Sequence, residues 1–197
     1  MNIICNNCIG GRLYEARNEQ FSNQFIWAKI LHNDFIYLIN NFDNIDFSNI
    51  SFSLEYYKSK EYQNVLCKMD NKISLHFTHY VYNENCDTPY KKDLDVLYKD
   101  ILTYSKEKYF NRLSRMSGSP IFVYSFNNIQ YSIDEYKKRI YDVLKIKDKK
   151  IYIIAYKSIE ITDEIPDNVK VIYLNDDILN STTATIAKNI KDFIKDE

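Results

Sequence analysis

The chain of 197 residues has little of what breaks or staples a fold: three Gly, three Pro and four Cys. With so little Gly and Pro there is no linker-like stretch, and no segment repeats or is of low complexity. A single domain over residues 1–197 is therefore expected. Cys5, Cys8, Cys67 and Cys86 are scattered, unlike the framework of a secreted disulfide scaffold, and read as reduced thiols. An excess of one charge is also missing: 26 Lys and Arg stand against 27 Asp and Glu, a net charge of -1. That balance argues against a broad basic surface for nucleic acid or anionic lipid. No run approaches the ~20 apolar residues that span a bilayer. The opening MNIICNNCIGG lacks a basic start, and its apolar run is too short for a signal peptide, so a cytoplasmic location is expected. GxGxxG, P-loop, GxSxG and HExxH patterns are absent, and no cofactor is expected.

What is present is apolar surface in quantity. Hydrophobic residues make up 45% of the chain, enough for a proper core at this length. Eighteen Tyr beside many Asn, Ile and Lys look like AT-rich coding bias, so no single Tyr or Asn is a functional signal by itself. Short apolar runs at Met1 to Cys5, Ile121 to Phe126, Lys150 to Tyr156 and Val169 to Leu174 read as strands of one sheet. Helical patterns run from about Gly10 to Ala16, from His32 to Phe42 with Asn33 as cap, from Lys91 to Met116, from Ser132 to Leu144 and from Thr182 to Ile194. Ser132 and Glu135 have the spacing of a capping box. Ile50 to Tyr57 alternates as a strand. Asp70-Asn71 sits between Gln63 to Met69 and Lys72 to Thr78 at the spacing of a two-residue hairpin. Asn83 to Pro89 reads as a loop. The fold class expected is α/β: three layers, a mostly parallel sheet covered by helices, with an antiparallel hairpin extension.

Three patches carry chemistry. In Cys5-Asn6-Asn7-Cys8-Ile9-Gly10-Gly11 the first strand ends near Cys5, so Cys8 falls at the start of the next helix. Free N–H groups and the helix dipole there favour anions and would lower a thiol's pKa. Asn6 and Asn7 can donate to a carbonyl or oxyanion, and Gly10 and Gly11 would let a ligand approach the backbone. A buried, inert thiol is the plainer alternative. The Cys-x-x-Cys spacing also occurs in redox and zinc sites. Here Asn-Asn lies between the cysteines and Ile4 precedes them, and His76 and His79 fall on opposite faces of a strand, so no metal is expected. The second patch is His76-Phe77-Thr78-His79-Tyr80. His79 follows the apolar face of its strand and is the preferred base for Cys8, with His76 second. The third is Lys108, Arg112 and Arg115, spaced to share a helix face that can clamp a phosphate or carboxylate, although basic residues also favour helix C-termini for dipole reasons alone.

Together these patches resemble an uncharacterised bacterial family labelled as exopolysaccharide biosynthesis proteins and, more distantly, a papain-like cysteine peptidase group. The resemblance runs through Asn6-Asn7-Cys8-Ile9-Gly10-Gly11 and Tyr14, Ser22-Asn23-Gln24-Phe25, Leu75-His76-Phe77-Thr78-His79-Tyr80, and Arg112 with Arg115. Gln24 departs from it, standing where Pro is common. The resemblance implies an α/β fold and work on surface polysaccharide. On that reading Cys8 and a histidine serve a transferase or hydrolase, and Arg112 and Arg115 anchor an anionic small-molecule or glycan substrate. A non-catalytic sugar-phosphate module and a cysteine peptidase or amidase are the alternatives.

Overall fold

The computed structural model describes residues 1–57, 60–77, 94–126 and 131–195, with the backbone alone for 56–57, 60–64 and 94–99. Strand β1 (Ile3–Cys5) leads into helix α1 (Ile9–Arg17), then a two-residue strand β2 (Lys29–Ile30) and helix α2 (His32–Asn41). Three antiparallel strands follow: β3 (Ile50–Tyr57), β4 (Lys60–Met69) and β5 (Ile73–Phe77). Helix α3 (Leu94–Leu113) returns the chain to β6 (Ile121–Ser125), α4 (Ile133–Leu144), β7 (Ile151–Tyr156), β8 (Val169–Leu174), α5 (Asp176–Leu179) and α6 (Thr183–Ile190).

Two sheets result. One is parallel, in the order β1-β6-β7-β8, and holds all four strands expected to share a sheet. The other is antiparallel, in the order β2-β5-β4-β3. The expected hairpin is β4–β5. Asp70 and Asn71 both have positive φ, the geometry that matches a tight hairpin turn to the strands' twist. It belongs to this second sheet, which grows by the alternating strand β3 and by β2, a strand too short to show a period.

Alternation across the parallel sheet separates two cores. Ile3, Cys5, Ile121, Val123, Tyr152 and Ile154 face α1 and α6. Ile4, Phe122, Tyr124, Ile151 and Ile153 face α2, α4 and the second sheet. Strand β1 is an edge, and its outward backbone is closed by side chains. The Ile3 N–H donates to Tyr14 Oη at 2.9 Å, and the Ile3 carbonyl accepts from Asn23 Nδ2 at 2.8 Å. An edge closed this way offers no template for further pairing.

Caps account for several boundaries. Ser132 accepts from the Glu135 N–H at 3.2 Å at the start of α4, and Thr182 does the same for Thr185 at α6. Asn33 does not cap α2. The helix starts one residue before it, at His32, after Leu31 in extended conformation. Helix α3 ends at Leu113, with turns carrying the chain through Met116. The segment 78–93, including the expected loop and His79, lies outside the described residues.

Candidate functional site

The helices that follow neighbouring strands β1 and β6 lie on opposite faces of the sheet: α1 packs in one core and α4 in the other. Where successive connections diverge in this way, a crevice opens beyond the carboxyl ends of the strands, the usual place for a ligand in an open α/β sheet. Such a cleft, of about 550 Å³, is present. Asn6, Asn7 and Cys8 line it from the turn after β1, Tyr124, Ser125 and Phe126 from the end of β6, Lys29 and His32 from β2 and α2, and Tyr131 and Arg139 from the approach to α4 and from α4 itself.

The Cys8 turn therefore sits in a cleft, but its polar groups are engaged. Asn6 is buried and pairs twice with Ser125: its Oδ1 accepts from the Ser125 N–H at 2.9 Å, and its Nδ2 donates to the Ser125 carbonyl at 3.0 Å. It locks the ends of β1 and β6 together, so its amide is not free for an oxyanion. Asn7, one residue before the cap position, bonds the first turn of α1: its Oδ1 accepts from the Ile9 N–H at 3.0 Å, and its carbonyl from the Gly10 N–H at 3.3 Å. Two of the N–H groups expected to hold an anion are thus already satisfied.

The glycines serve packing. A Cβ on Gly11 would lie 2.7 Å from the Trp27 ring, and one on Gly10 would lie 3.0 Å from Cys5 Cβ. Absence of side chains lets α1 sit close to β1 and to the Trp27 loop. Trp27 itself has φ +67°, a conformation costly for a bulky residue. The Arg12 guanidinium lies 4.9 Å over its ring.

Cys8 immediately precedes α1, with its thiol 3.9 Å from the Trp27 carbonyl. Burial raises its pKa above the ordinary thiol value, against the downward pull of Arg12 and Lys29. The expected lowering is outweighed because desolvation exceeds the gain at a helix start whose donors are already capped. Cys5 is fully enclosed and pushed up to about 12, mainly by burial.

Of the expected partners of Cys8, those among the described residues lie elsewhere. His76 does not line the cleft. Its Nδ1 is 2.7 Å from Glu55 Oε2, and its Nε2 is buried without a hydrogen-bond partner among the described residues. His79 lies outside the described residues. Arg112 is buried; its Nη1 donates to the Ile26 carbonyl at 3.0 Å, and its guanidinium lies 5.4 Å over the Phe21 ring. It supports the loop that holds Trp27. Arg115 lies past the end of α3 and is exposed, so the two arginines do not form one anchor.

Among the described residues, the histidine that reaches the cleft is His32. Its Nδ1 is 2.8 Å from Tyr124 Oη, and its Nε2 is 3.2 Å from Asp142 Oδ2. Burial lowers its pKa, opposed by Asp142. Burial pushes the Tyr124 pKa up, against the downward pull of the nearby Arg139 charge. The Arg139 Nε donates to Glu135 at 2.7 Å, and its guanidinium lies 4.4 Å over the Tyr131 ring. Lys29 is exposed at the same cleft. Lys29, His32, Tyr124, Arg139 and Asp142 carry no local motif. The one signal in the sequence is a histidine at the start of a helical pattern.

Residues 1–104 match a family model described as a domain of unknown function (DUF1919). That stretch is more than half of the 197 residues. The chain belongs to the DUF1919 family. Within the DUF1919 stretch lie the Cys8 turn, Lys29, His32 and the second sheet. Tyr124, Arg139 and Asp142 lie beyond it, so the cleft joins the DUF1919 stretch to the strands that follow. No curated protein matches the chain. Among the described residues no helix is long and apolar enough to cross a membrane, and no three His, Cys, Asp or Glu side chains gather as a metal site requires.

Proposed function

We propose that this DUF1919 protein binds an anionic glycan precursor, a sugar phosphate or nucleotide-linked sugar, in the cleft at the ends of β1 and β6, and works in surface-polysaccharide assembly at its cytoplasmic stage. The observation that carries the reading is the placement of two cationic side chains, Lys29 and Arg139, with the Tyr131 ring on one cleft at a divergence of strand connections. Cations supply charge-assisted bonds to phosphate, and Arg offers two at once. Aromatic faces suit the apolar side of a sugar ring. The polysaccharide role rests on the family resemblance of the patches at Asn6 to Gly11, Ser22 to Phe25 and Leu75 to Tyr80.

A cysteine nucleophile is the weaker form of this reading. The Cys8 thiol is raised rather than lowered, and among the described residues the histidine lining the cleft, His32, has both ring nitrogens already bonded to other residues. Calorimetric titration with UDP-glucose, glucose 1-phosphate and glucose tests the proposal. The phosphorylated probes should bind, and Lys29→Ala should weaken them by about tenfold, the scale of one charged hydrogen bond. Equal binding of free glucose, or no effect of Lys29→Ala, would contradict it.

A further inference from the structure

We propose that Tyr124 is the catalytic proton-transfer residue of the cleft, activated by His32, which Asp142 holds in place. The proposal rests on this cleft being the ligand site, and it makes the site an enzyme's rather than a binding module's.

The Asp142 carboxylate can only accept, so the His32 nitrogen facing it at 3.2 Å carries the proton. In the neutral ring the other nitrogen, Nδ1, then holds a lone pair, and it lies 2.8 Å from Tyr124 Oη. The Tyr124 hydroxyl therefore donates to His32. A hydroxyl, a base within hydrogen-bond reach and a third group orienting the base are the parts of an activated oxygen.

Three features keep the relay in this state. His32 is the first residue of α2, where the helix dipole disfavours an imidazolium. Burial and the nearby Arg139 charge act in the same direction. The Arg139 charge also acts on Tyr124, where it favours negative charge as it develops on the phenol oxygen. Burial raises the Tyr124 pKa, so the phenol keeps its proton at rest and acts by relaying it to His32 rather than as a standing phenolate.

In the transfer, the proton of a bound sugar hydroxyl passes to Tyr124 Oη as the tyrosine's own proton passes to His32 Nδ1. The imidazolium formed lies against the Asp142 carboxylate, and the electron pair stays on the sugar oxygen. Run in reverse, the relay protonates a departing oxygen.

Labelling of the full chain with an aryl sulfonyl fluoride tests this without a known substrate. The phenol oxygen displaces fluoride from sulfur, and the phenol proton goes to His32. Peptide mass mapping should find Tyr124 modified ahead of the other tyrosines. His32→Gln should slow its labelling by about tenfold or more, the usual scale of general-base assistance, and Asp142→Asn should slow it less. Nitrogen-15 spectra of the unmodified protein should show His32 as the neutral tautomer protonated at Nε2. Labelling of Tyr124 that is absent, or unchanged in His32→Gln, would overturn the proposal, as would an Nδ1-protonated ring. UDP-glucose separates the two readings. If it binds while Tyr124 labelling ignores His32, the relay fails and the binding reading stands. If labelling depends on His32 but UDP-glucose neither binds nor protects, the relay stands and the anionic-ligand reading fails.

Discussion

The Nδ1 atom of His32 faces the Tyr124 hydroxyl at 2.8 Å across 92 residues of chain. That contact ties the start of α2 to the end of β6 and closes one wall of the cleft. It also sets a pH dependence. Burial lowers the folded-state pKa of His32 below the ordinary imidazole value of ~6.5. Between those two values the unfolded chain binds more protons than the folded one, so folding is weakened as pH falls below ~6.5 and the contribution is whole above it. Urea denaturation from pH 7.5 to 5 should show the wild type losing more stability than His32→Gln. Parallel profiles would contradict the assignment.

Cys8 should behave as a shielded thiol. Its pKa is raised by burial, so iodoacetamide labelling of the native protein should have its midpoint above the ~8.5 of a free cysteine. Cys5, enclosed and pushed up to about 12, should label only on unfolding. A Cys8 midpoint near neutral pH would restore the nucleophile reading.

Asn6 should matter for stability. Replacing it with Ala removes two buried bonds to the Ser125 backbone, at 2.9 and 3.0 Å. The expected loss is about 2–4 kcal/mol by chemical denaturation. A loss under about 0.5 kcal/mol would mean that the strand ends are held by other contacts.

Gly11→Ala reverses an ordinary rule. In a solvated helix the change stabilises by about 1 kcal/mol. Here the new methyl meets the Trp27 ring at 2.7 Å. Overpacking should destabilise by about 1–3 kcal/mol, with the Trp27 fluorescence shifted in the folded state. Gly10→Ala, at 3.0 Å from Cys5 Cβ, should be milder.

The parallel sheet was legible because strands buried on both faces read as apolar runs between amphipathic helices, as in Ile151–Tyr156. The Ser132 cap was legible because it spans three residues. The second sheet was only half legible: β3, β4 and β5 alternate or turn visibly, but Lys29–Ile30 is too short to alternate. The position of the Cys8 turn at a strand end followed from the same pattern. Its chemistry did not, since a helix start lowers a thiol's pKa by local geometry while desolvation, set by Trp27 and the rest of the core, raises it. His32 escaped notice because its partners Tyr124 and Asp142 are 92 and 110 residues away. Tyr124 escaped because one tyrosine among eighteen carries no signal until the fold places it.

The measurement that bears most directly on the proposed function is a map of backbone amide shifts during titration with UDP-glucose. Binding in the cleft should move the resonances of Cys8, Lys29, His32, Tyr124 and Arg139 together, with one affinity, and should leave the outer strand β3 unmoved. Shifts confined to another face, or none at millimolar UDP-glucose, would contradict the account.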